Sequence, residues 1–95
     1  MRTVLVDCVG VNSAAELWQR YIDAANPEQA ELFGRNLDAF WDAVEHGGPG
    51  WPGTAKLVFI NSSELGRIRL KSGLSLLDGL SSLAKNASVT PIELV

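Results

Sequence analysis

The sequence predicts a small α/β domain: a three-stranded parallel sheet with helices packed against it. Three apolar, β-rich runs lie at residues 2–8, 55–60 and 89–95, and the stretches between them carry helical periodicity. Strands alternating with helices imply parallel pairing through right-handed crossovers. A chain of 95 residues has room for one core, hiding somewhat over ~60% of the surface that the unfolded chain exposes, and none for a second domain. With 46% hydrophobic and 20% charged residues it is neither a disordered nor a collagenous sequence.

Residues 2–8 form a β-branched apolar run that predicts a strand buried on both sides. After the turn Gly10-Val11-Asn12, the stretch Ser13-Ala14-Ala15-Glu16 has the pattern of a capping box, with Leu17 and Tyr21 following at helical spacing, so a helix is expected from 14 to about 25. Asn26-Pro27 opens another turn; with Asn26 as cap and Pro27 at the first helical position, a short helical turn is expected over 27–31. Gly34 interrupts, and Asn36 caps a helix from 37 to about 45. Four of the nine glycines and two of the four prolines fall in residues 47–53, which ends that helix in an irregular loop. Residues 55–60 are the second buried strand. A short helix is expected around 64–70, interrupted at Gly66, and a longer one over 73–86 with Leu74, Leu77, Leu80 and Leu83 along one side. Pro91 within the last strand, 89–95, points to a sheet edge or a bulge.

Cys8 is the sole cysteine, so no intrachain disulfide can form; at the end of an apolar strand it is expected to be buried, and a lone thiol fits a reducing compartment. The first residues lack the apolar h-region of a signal peptide, and no apolar run is long enough to span a bilayer. These features predict a cytoplasmic protein. A net charge of −3 disfavours nucleic-acid and anionic-membrane binding and suits a basic protein partner.

The stretch from Leu32 to Glu45 organises the chain. Leu37, Phe40, Trp41 and Val44 recur at i, i+3, i+4, i+7 and are expected to be buried together. Asp38, Asp42 and Glu45 form an acidic stripe on another face. Asp38 in the first turn is favoured by the helix macrodipole, but Asp42 lies beyond its reach. Like charges four apart cost roughly 0.2–0.5 kcal/mol per pair. A charge run is most often only a solvated face, so the pattern alone leaves the stripe's purpose open.

Gly34-x-Asn36-Leu37-Asp38-Ala39-x-Trp41-Asp42-Ala43 resembles the signature helix of the barstar family, intracellular protein inhibitors of secreted bacterial ribonucleases. Chain length and element order fit along the whole sequence. The resemblance implies a three-stranded parallel sheet with helices packed against it, no enzymatic activity, no cofactor, and a 1:1 complex with a small basic extracellular ribonuclease. Such an enzyme binds RNA phosphates with a basic pocket, and the resemblance implies that carboxylates on the rigid helix imitate them. The partner-binding residues implied are Leu32, Gly34, Asn36, Leu37, Asp38, Trp41, Asp42, His46 and Asp78, with Asp42 entering the phosphate pocket and Asp38 one turn earlier. Leu32 stands where the family has an interface tyrosine, and Arg35 where it has a glutamate. Leu76 aligns with the family's peripheral acidic contact, leaving Asp78 as the nearby replacement. An acidic adaptor for another basic protein is the alternative.

Other chemistries find little footing. One histidine and no Gly-x-Ser-x-Gly elbow argue against a serine triad. Asp38 and Asp42 share a helix, whereas glycosidase carboxylates face each other across a cleft. Asp38, Asp42 and His46 could align on one face as metal ligands, but no second His or Cys cluster completes a shell. The glycines of 47–53 precede a strand and lack Lys-Ser/Thr, unlike a phosphate loop. Trp51, beside the acidic helix, is either a plug over the core edge or part of a binding surface.

Overall fold

The computed structural model describes residues 1–95: β1 (Arg2–Asp7), α1 (Ala14–Ala25), α2 (Leu37–His46), β2 (Ala55–Ile60), α3 (Leu76–Asn86) and β3 (Ile92–Leu94), with 3-10 turns at Ala30–Leu32 and Ser62–Arg67. The sheet is parallel, in the order β1-β2-β3, with Val4 opposite Leu57 and Leu57 opposite Ile92. No helix is long and apolar enough to cross a membrane.

That strand order corrects one expectation. Both crossovers advance in the same direction, and connections of a single hand then lay their helices on the same side of the sheet. Val4, Val6, Leu57 and Phe59 are buried beneath them, whereas Thr3, Leu5 and Asp7 are exposed. β1 is therefore buried on one side, not two; on β2 the outward residues Lys56, Val58 and Ile60 are half-buried.

Local chemistry sets the element ends. The Ser13 side chain accepts from the Glu16 N–H, while Glu16 reaches back to the Asn12 N–H. Asn26 does not start a new helix but closes α1, in the left-handed region at φ 47°. The helical turn expected over 27–31 falls at 30–32 because the Glu28 backbone is taken by the glycine loop: its N–H donates to the Trp51 carbonyl at 3.0 Å, and its carbonyl accepts from Gly50 at 2.8 Å.

The turn at Ser62–Arg67 runs through Gly66 without a break, and Asn61 donates to the Asp7 carboxylate instead of capping it. α3 begins three residues later than the leucine spacing implies. Residues 69–75 double back, with Arg69 bridged to Ser75, and Ser75 caps the helix by accepting from the Asp78 N–H at 3.0 Å. Leu74 is thereby left outside, 55% exposed. β3 starts at Ile92, not 89, since the Ser88 and Val89 N–H groups donate to Glu45 rather than to β2. It is an edge strand, as Pro91 just before it foreshadows.

Trp18, Tyr21, Phe33, Phe40 and Phe59 pack with ring centroids between 5.1 and 6.0 Å, four of the five pairs edge-on. The buried Tyr21 hydroxyl donates to the Gly50 carbonyl at 2.6 Å, and burial raises its pKa. Phe40 touches Trp18, Tyr21 and Phe59, so the middle of this cluster is also what seats α2.

Candidate partner-binding site

α2 starts where it does because Asn36 supplies both halves of a cap. Its Oδ1 accepts from the Ala39 N–H at 2.7 Å, and its amide donates to the Gly34 carbonyl at 3.3 Å. Gly34 has a fold-based reason to be glycine: a Cβ there would sit 2.9 Å from the Ala39 Cβ, closer than such atoms approach. The helix ends at Gly47, whose left-handed backbone (φ 72°) closes the last turn.

Between these stops the two faces separate as the spacing predicts, with one refinement. Phe40 and Val44 are buried, joined by Ala43, but Leu37 and Trp41 are only half-buried. Leu37 lies against Gly79 of α3, where a Cβ would meet its Cδ1 at 2.6 Å, so the bare glycine permits the close approach of α2 and α3. Trp41 stands edge-on to His46 at 6.2 Å. Leu37, Asp38 and Trp41 then line a groove of about 360 Å³ with Gly79, Ser82 and Asn86 of α3.

The acidic stripe divides in two. Asp38 and Asp42 are exposed, and neither carboxylate accepts a hydrogen bond or forms an ion pair within the chain. Glu45 is committed to the fold: its carboxylate accepts from the Ser88 hydroxyl and from the Ser88 and Val89 N–H groups at 2.8 and 3.1 Å. The Ser88 hydroxyl first, then the two backbone donors, hold its pKa below the ordinary value. Thr90 adds a second tie, its hydroxyl donating to the Val44 carbonyl at 2.8 Å.

The remaining candidates scatter around this helix. Leu32 is 61% exposed in the turn before Gly34. Asp78 is exposed in the first turn of α3 but does not line the α2–α3 groove. His46 is exposed at the C-terminal end of α2, where a protonated imidazole suits the helix dipole. Trp51 is half-buried, with its backbone paired to Glu28 and Gly48. No group of three or more His, Cys, Asp and Glu side chains is placed to hold a metal ion.

Sequence reasoning passed over Gly79, although a glycine inside a leucine-rich helix is itself a sign of close packing. It also passed over Gly48, which lies against the Asp42 carboxylate, and the Glu45 clamp, whose partners are over forty residues away.

No curated protein matches the chain. The family model described as Barstar (barnase inhibitor) matches residues 1–94. Essentially the whole chain is covered, and the protein belongs to the Barstar family.

Proposed function

We propose that this protein inhibits a small basic secreted ribonuclease in a 1:1 complex, with α2 laid across the enzyme's active site and Asp42 in the pocket that normally takes an RNA phosphate. One observation carries the reading. Asp38 and Asp42 project one turn apart from a helix capped at both ends and seated by Phe40, and neither has a partner within the chain. Because the helix is already ordered, little conformational freedom is lost on binding, and opposite charges speed encounter. The protein acts inside the cell, protecting RNA there, and does no chemistry of its own.

Titration of barnase-type ribonucleases during RNA cleavage tests this. Cleavage should fall to zero at a 1:1 ratio, and Asp42→Ala should weaken the complex by at least ~2 kcal/mol without unfolding the protein, a threshold drawn from protein interfaces generally, the barstar pair among them. Affinity surviving that substitution within a factor of about three would remove Asp42 from the hot spot.

A further inference from the structure

A second groove, of about 500 Å³, opens on the other side of Asp38. Its floor is the buried Trp18 and Leu76, and its rim carries two exposed cations, Arg35 and Lys71. Neither has an anion: the chain's ion pairs are Lys56 with Glu93 and Arg67 with Glu64, and no carboxylate lies within 4.0 Å of Arg35 or Lys71. Arg35 is nonetheless held, its guanidinium donating to the neutral Gln19 side chain at 3.0 Å.

We propose that Arg35 and Lys71 receive an acidic side chain of the same ribonuclease, set beside the basic pocket that takes Asp38 and Asp42. The inference rests on the inhibitory reading above and adds the chemistry of the partner's rim. Asp38 lines both grooves, so an enzyme seated on α2 covers this one as well. Covering it strips water from two cations above an apolar floor, which weakens binding unless an opposite charge arrives with the partner. A single carboxylate fits that need. An extended polyanion such as RNA does not, because the chain's net charge of −3 repels its many phosphates together. The contact surface is thus bipolar, and its basic half selects among ribonucleases that share the same phosphate pocket.

Inhibition constants from RNA cleavage test this with wild type, Arg35→Glu, Lys71→Glu and Asp42→Ala, each checked by circular dichroism, against a panel of purified barnase-type ribonucleases with acidic or basic rims. On the enzyme inhibited best, each charge reversal should weaken inhibition about tenfold or more. A lysine in place of the facing acidic residue on the enzyme should restore it. Reversals that leave inhibition within a factor of about three, while Asp42→Ala abolishes it, would overturn this proposal and spare the inhibitory reading. A wild-type dimer in sedimentation equilibrium that Lys71→Glu dissociates would assign the groove to a second copy and overturn it too. Failure of the wild type to inhibit any enzyme of the panel overturns both.

Discussion

The Asp42 carboxylate occupies the space that a Cβ on Gly48 would fill, with its Cγ only 2.9 Å from that position. Gly48 does not have a left-handed backbone, so alanine there strains nothing but this contact. Gly48→Ala should leave the thermal midpoint near wild type, force the carboxylate into another rotamer, and weaken ribonuclease inhibition by about 1 kcal/mol, the cost of re-ordering one side chain. Paired melting curves and inhibition constants check it.

Asp38 and Asp42 repel each other across one helical turn, and Asp42, beyond the first turn, has neither a hydrogen bond nor an ion pair within the chain to offset this. Asp42→Asn should therefore raise the unfolding free energy by roughly 0.2–0.5 kcal/mol while inhibition collapses. Urea denaturation read beside a cleavage assay tests the opposed signs, and a loss of stability would mean that Asp42 serves the fold.

Glu45 makes stability acid-sensitive. Its folded pKa lies below the ordinary 4.5 because Ser88 and Val89 donate to the charged form. The contribution is complete above 4.5 and is lost as pH falls through the lower folded value. Glu45→Gln should be less stable at neutral pH and show a shallower decline just below 4.5. A decline would remain below 3.8, where Asp7, held down by Asn61 and the Val9 N–H, begins to protonate. Denaturant midpoints from pH 3 to 7 resolve the two windows.

Cys8 is fully buried, and desolvation pushes its thiol up to about 11. Its alkylation at pH 8 should be slow and should accelerate in step with unfolding as urea is raised. Rapid labelling of the native protein would show that β1 opens locally.

Raising salt should slow association with the ribonuclease more than it hastens dissociation, because steering charges are screened over ~8–10 Å at ordinary ionic strength. Stopped-flow association and dissociation rates across a salt series decide it.

Much of the fold was legible wherever the cause is local. Ser13, Asn36 and Gly47 mark helix ends through bonds to residues three or four away, and the period of Phe40 and Val44 marks a buried face. Errors came where a distant segment takes a backbone group: Glu28 paired with the glycine loop, Val89 with Glu45. The exposed outer side of β1 depends on strand order, which no run of apolar residues encodes. At the site, the positions of Asp38 and Asp42 followed from helical spacing. The commitment of Glu45 and the Arg35–Lys71 groove needed three dimensions, since Lys71 reaches α2 only because residues 69–75 fold back.

α2 keeps its buried side chains and its unpaired carboxylates on separate sides. Phe40, Ala43 and Val44 hold it in place, while the exposed side chains of Asp38 and Asp42, with Arg35 and Lys71 beside the helix, make no hydrogen bond or ion pair with a buried residue. On the inhibitory reading proposed above, natural variation can rewrite the outward set and so change which enzyme is bound while the scaffold beneath stays untouched, as a lock is rekeyed without rebuilding the door.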